Sequence, residues 1–167
     1  MNDNPLPSQP PSIFARGVLY VVIQALLLAL LFFGPTSVSG TRIWTGPLSY
    51  WLVWLGWSLL MVGLVCSVVA ALQLGNNLTP LPAPKIGAKL VRSGLYRFVR
   101  HPIYFGVIII SFAWFLITQG TLTLGYACLI FLFFDIKSRK EEHWLITAFP
   151  EYTHYQQRVS KLLPLIY

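Results

Sequence analysis

Arg100 and His101 stand immediately before a long apolar run, and Glu141 and Glu142 lie some forty positions further on, just after a second run. Paired carboxylates beside an arginine and a histidine, at the mouth of an apolar medium, suit a zwitterion. The acids can receive amino or sulfonium groups and ribose hydroxyls, and the Arg and His can receive a carboxylate. A plainer reading also fits, in which Arg100 neutralises the glutamates and His101 begins a helix. Tyr104 and Gly106 continue the first element as Arg100-His101-Pro102-x-Tyr104-x-Gly106. The whole stretch from Leu90 to Gly106 mixes basic, aromatic and glycine residues, a composition that at a membrane surface also binds anionic headgroups.

For the two pairs to meet, the chain between them must double back. After Arg100 no side chain with a full formal charge occurs before Asp135, and Gln119-Gly120-Thr121 is the one polar break. This pattern predicts a helical hairpin with arms over 102–118 and 121–138, each about 26 Å long at 1.5 Å per residue. With the turn near Gly120, positions 101 and 139 are equally far from it, so the arms return both pairs to one face at one depth. Pro102 suits a first helical turn, where its missing N–H costs nothing. A re-entrant hairpin that never reaches the far face is the alternative, and its irregular backbone would need protein cover.

The rest of the chain supplies the medium. Of 167 residues, 56% are hydrophobic and 10% charged, against about 25% charged in soluble domains, which excludes an ordinary water-soluble globule. Residues 1–16 hold four prolines among polar residues and predict a disordered tail. An apolar block over 17–35 has Gln24 as its only polar member before Gly34-Pro35; Arg16 ahead of it, with Ser37 and Ser39 behind, also resembles a signal peptide. A longer block covers 48–74, with Trp51, Trp54 and Trp57 crowded into its early half as an interfacial belt would place them. Cys66 and Cys128 lie inside apolar runs without a partner, which argues against a disulfide and leaves no metal site.

The expected fold is an all-α integral membrane protein, a single domain over 17–167 with about four transmembrane helices, the last two forming the hairpin. Eleven of the twelve Lys and Arg residues fall on one side of such a topology and only Arg42 on the other. The positive-inside rule then puts both termini, a loop over 75–101 and a tail over 139–167 in the cytoplasm. No acidic or basic residue sits mid-span, so the usual mark of an ion path is missing. Topology accounts for the net charge of +7, so nucleic acid is not an expected partner.

The first motif, the acidic pair about 35 residues after it, and Phe149-Pro150-x-Tyr152-x-x-Tyr155-x-x-x-Val159-x-x-x-Leu163-Pro164 together resemble the isoprenylcysteine carboxyl methyltransferases. The related phospholipid methyltransferases share the pattern, and the resemblance runs from Leu78 to Tyr167. It implies S-adenosylmethionine as methyl donor, bound on the cytosolic side by Arg100, His101, Tyr104, Gly106, Glu141 and Glu142. It also implies a lipophilic small-molecule or lipid acceptor, of the prenylcysteine carboxylate kind, and matches Arg158 to a basic position of the family's tail. Leu95 and Pro150 depart from the usual Pro and Gly of the family, both without removing a polar contact.

On this reading Arg100, Glu142 and Arg158 are the catalytic candidates. A carboxylate acceptor is already ionised and must be held by a cation, Arg100 or Arg158. An amine or thiol must lose a proton, to Glu142 or His101. An NADPH-dependent sterol-type reductase, which also carries a His-Pro-x-Tyr-x-Gly element, and a non-catalytic anionic-lipid-binding membrane subunit are the alternatives. The small size without elaborate loops reads as a protein of a microbial cytoplasmic membrane.

Overall fold

A computed structural model describes residues 17–38, 43–85 and 87–164; the proposed tail over 1–16 and Arg42 lie outside them. Every regular element among the described residues is helical. Four long helices, α1 (Val18–Phe33), α2 (Pro47–Leu74), α3 (Pro102–Thr118) and α4 (Thr121–Ala148), are followed by a short α5 (Tyr152–Arg158). α2 and α4 are long and apolar enough to cross a bilayer, while α1 and α3 are apolar but shorter, at 16 and 17 residues. Large apolar side chains stand exposed along α1 and α2, among them Leu19, Leu26, Trp51, Trp54 and Leu72. In water such surfaces would be unstable, and in lipid they are the ordinary outside of a membrane protein.

Two prolines start helices at their first turn, Pro47 in α2 and Pro102 in α3. α3 ends on Gln119, which adopts the left-handed conformation (φ 55°) in place of the usual glycine. Its side chain shows why a glutamine is there: fully buried, it accepts from Ser49 Oγ and donates to the Ser49 carbonyl, tying the turn to the start of α2. Thr36 and Ile43, on either side of the first loop, also hydrogen-bond the turn through Leu122, Thr123 and Gln119.

α2 lies along α3 through small residues. Gly56, Gly63 and Ala70, spaced by seven, form its buried stripe, and Gly63 and Gly106 meet so closely that a Cβ on Gly106 would stand 2.6 Å from the Gly63 carbonyl and 2.2 Å from Ser67 Oγ. Small residues let membrane helices approach in this way when hydrophobicity alone gives no drive. α1 packs chiefly on α4, and the core between the helices gathers Leu31, Ile108, Ile130, Phe134 and Leu162.

α4 outlasts the apolar arm, running ten residues past Ser138 to carry Glu141 and Glu142 on a polar extension. Beyond α5 the chain passes beneath the start of α3. There Val99 and Ser160 pair in parallel, and the carbonyls of Ser160 and Lys161 accept from the amides of Arg100 and His101.

Candidate functional site

The hairpin brings the two polar pairs together. His101 caps α3 and Tyr104 lies in its first turn, so both face the polar extension of α4 across the turn where Arg100 enters.

Arg100 and Glu142 form the buried half of the site, with side chains only 9% and 7% exposed. Arg100 Nε donates to Glu142 Oε1 at 2.6 Å, and its Nη1 donates to the carbonyls of Gln156 and Val159. Glu142 also accepts from Tyr152 Oη at 3.3 Å and from Gln156 Nε2 at 3.0 Å, and His101 Nε2 lies 3.2 Å from it. Burial alone would raise the Glu142 carboxyl, but the hydrogen bonds and charges of His101 and Arg100 outweigh it and hold the group well below the usual carboxylate range. An ionised carboxylate only accepts, so His101 carries its proton on Nε2. Arg100 Nη2 makes no hydrogen bond among the described residues.

Glu141 belongs to the other half. Tyr104 Oη donates to Glu141 Oε2 at 2.6 Å, and His101 Nδ1 lies 3.7 Å from the same oxygen. The His101 and Tyr104 rings stack almost parallel with centroids 5.3 Å apart. Glu141 keeps a quarter of its side chain exposed.

This half opens onto a cavity of about 360 Å³. Its floor is apolar, with Ile103, Val107 and Phe134, and one wall is the proline-rich segment from Asn77 to Pro84. Tyr96, Leu145, Phe149, Tyr152 and Tyr155 close the polar end. The wall is pinned: Asn77 Oδ1 accepts from the Lys89 amide at 3.1 Å, and Gln73 Oε1 accepts from the Leu95 amide at 2.9 Å. Gly94, at φ +62°, has Gln73 pressed so close that a Cβ would collide with its amide, so only glycine serves there. Burial pushes the phenols of Tyr96 and Tyr152 above their ordinary value and that of Tyr155 to about 12, so all three remain neutral donors at neutral pH.

Among the residues singled out from sequence, Arg100, His101, Tyr104 and Glu141 line this cavity. Glu142 does not; it holds the others from behind. Gly106 faces α2 and serves close packing. Arg158 ends α5 exposed, away from the cavity lining.

Among the lining residues that escaped the sequence reading are two polar ones on helices, Gln24 of α1 and Lys137 of α4. Lys137 stands four residues before Glu141, so helical spacing alone puts the two on one face. The set as a whole presents a carboxylate, two cations, a histidine and aromatic rings around an apolar floor. This suits a zwitterionic ligand with a flat, partly apolar body beside a second, lipophilic one.

Comparison with known proteins gives the family. The family description PEMT, phospholipid methyltransferase, matches residues 51–152. Methanethiol S-methyltransferase 1 of Bradyrhizobium diazoefficiens is 45% identical over 71 residues, 42% of this chain and 24% of that protein. The cobalt-zinc-cadmium resistance protein CzcN of Cupriavidus metallidurans is 31% identical over 150 residues, 89% of this chain and 62% of that protein. A solved structure of the eukaryotic intramembrane Ras methyltransferase, isoprenylcysteine carboxyl methyltransferase, superposes with a TM-score of 0.65 at 26% identity, covering 89% of this chain and 52% of that one. The chain thus spans from about a quarter to three fifths of the length of these relatives. With the Arg100-to-Gly106 motif, the acidic pair and the helical hairpin all inside the matched residues 51–152, the chain belongs to the phospholipid methyltransferase and isoprenylcysteine carboxyl methyltransferase family of membrane methyltransferases.

Proposed function

We propose that the protein transfers a methyl group from S-adenosylmethionine to a lipophilic acceptor at the membrane surface. The observation that carries this reading is the pairing of Glu141 with Tyr104 and His101 on the wall of a cavity whose floor is built from membrane helices. Glu141 receives the donor's cationic groups, and Arg100 Nη2 receives its carboxylate. The segments 77–84 and 88–91, with Tyr96 and Phe149, enclose the flat part of the molecule. Bound there, S-adenosylmethionine supplies a methyl group activated by its sulfonium charge.

The protein's part is positioning. Holding the acceptor atom in line and close supplies much of the rate in such a displacement, with water kept out by the proline wall and the apolar floor. Glu142 acts as a positioning residue, fixing Arg100, His101 and the start of α3 against α4. Arg158, for all its match to the family pattern, is left outside the proposed site.

We further infer four spans with both termini, the 75–101 loop and the 139–167 tail on the cytoplasmic face, supported by the eleven-to-one distribution of Lys and Arg. The test of the activity is calorimetric titration of the purified full chain in detergent with S-adenosylhomocysteine. Saturable binding at one site is expected, together with methyl transfer from labelled donor to a long-chain acceptor. A folded protein that binds neither S-adenosylhomocysteine nor S-adenosylmethionine would overturn the reading.

A further inference from the structure

Lys137 is a buried cation on the face of α4 that carries Glu141 one turn further on. Its side chain is almost wholly buried, at 1% exposure, yet it lines the cavity. Its ammonium donates to Gln24 Oε1 at 2.6 Å and stands 5.2 Å from the centre of the Tyr104 ring and 5.9 Å from that of Phe134. An ammonium has three donors, and among the described residues Gln24 is the one hydrogen-bond acceptor it meets. No ion pair among these residues includes it, for the neighbouring Asp135 is committed to Lys161 and Arg139. A buried charge whose close contacts are a neutral amide and two ring faces, with Glu141 acting on it only from beyond ion-pair distance, is costly unless a closer anion completes its surroundings.

We propose that Lys137 binds the acceptor's head group, and that the acceptor is therefore an anion when it reacts, a carboxylate or a thiolate on an apolar body. The inference rests on the methyl-transfer reading above. Position separates the two ligands. Glu141 marks the polar mouth, where a water-soluble donor enters. Lys137 sits one helical turn deeper, about 6 Å along α4, among Phe134, Tyr104 and Gln24, where a ligand arriving from the apolar side would end.

In the reaction, the acceptor's oxygen or sulfur forms a bond to the methyl carbon while the methyl–sulfonium bond breaks. Its electron pair returns to the donor's sulfur, leaving the neutral sulfide S-adenosylhomocysteine. The acceptor enters the step as an anion, so no proton moves in it; a thiol has lost its proton to solvent beforehand. Lys137 loses its counter-charge as the neutral ester or thioether forms, which favours product release.

The probes are S-farnesyl-N-acetylcysteine, its methyl ester, and 1-dodecanethiol, each measured on the full chain in detergent beside S-adenosylhomocysteine binding. The wild type should bind the free acid about tenfold or more tighter than the ester, or methylate the thiol, because a charge-assisted hydrogen bond is worth that factor. Lys137→Met should abolish the acid preference and raise the Michaelis constant of the probe that is used by about tenfold or more, with S-adenosylhomocysteine affinity within twofold. Lys137→Arg should retain part of the preference, and Lys137→Gln replaces the Met variant should that one not fold.

Three results would overturn the proposal: a wild type that neither prefers the acid nor methylates the thiol, a neutral variant that keeps the preference, or a neutral variant that loses S-adenosylhomocysteine instead. The last would assign the cation to the donor's own carboxylate. Failure of the wild type to bind S-adenosylhomocysteine at all would sink the methyltransferase reading itself, so the two failures are told apart.

Discussion

Arg100 and Glu142, 42 positions apart in sequence, meet at 2.6 Å with less than a tenth of either side chain exposed. Removing one partner of such a pair strands the other charge, at a cost of about 3 to 5 kcal/mol. Arg100→Ala is therefore expected to lower the thermal midpoint in detergent strongly. Arg100→Lys should recover little, because a lysine cannot reach the carboxylate and two carbonyls at once as the guanidinium fork does. A midpoint within a degree or two of the wild type for Arg100→Ala would show that the pair does not hold the site together.

Glu141 should behave in the opposite way. Partly exposed and bound only through Tyr104 and His101, it carries little of the fold, so Glu141→Gln is expected to leave the melting temperature nearly unchanged. The same change should weaken S-adenosylhomocysteine binding by about 10- to 150-fold. Tyr104→Phe should weaken it less, since it removes only the hydrogen bond that orients Glu141. Unchanged affinity in Glu141→Gln, measured by calorimetry, would exclude the carboxylate from the donor site.

The depressed pKa of Glu142 sets a sign for pH. A carboxyl whose folded value lies below its unfolded value of about 4.3 stabilises the fold fully above that value, and the contribution fades as pH falls toward about 2. Between pH 8 and 5 this group should contribute no slope. Below about pH 4.5 the wild type should lose stability faster than Glu142→Gln, whose side chain cannot titrate. Parallel curves of midpoint against pH for the two proteins, down to pH 3, would contradict the assignment.

Gly106 gives a packing test. A methyl group there would stand 2.2 Å from Ser67 Oγ and 2.6 Å from the Gly63 carbonyl, so α3 must shift away from α2. Overpacking of this kind costs about 1 to 3 kcal/mol. Because His101 and Tyr104 ride on the same end of α3, Gly106→Ala should weaken S-adenosylhomocysteine binding together with stability. Loss of binding at full stability would instead mean that Gly106 meets the ligand directly.

Much of this site could be read from the chain because it depends on spacing. An apolar stretch broken once at Gln119-Gly120 dictates a hairpin, and the hairpin dictates that His101 and Glu141 meet. The division of labour between Glu141 and Glu142 could not be read, since adjacent helical residues point about 100° apart and only the neighbours decide which faces a cavity. Lys137 was hidden for a different reason: next to Asp135 and Arg139 it looked like one more basic residue at a membrane face. Its burial depends on α1, whose Gln24 is more than a hundred residues away. Gln119 shows the same limit, because its left-handed backbone is made tolerable by Ser49, seventy residues earlier.

The segment that secures Arg100 and His101, through the carbonyls of Ser160 and Lys161, is synthesised after all four long helices. Insertion into the membrane and maturation of the site are consequently separate events in the life of the chain. A nascent chain can have formed its long helices while the mouth of the cavity is still unbraced, and the brace is complete only when Leu162 reaches the core. A chain stalled or clipped before Ser160 would keep the sequence of all four long helices and lack the carbonyls that hold Arg100 and His101 in place.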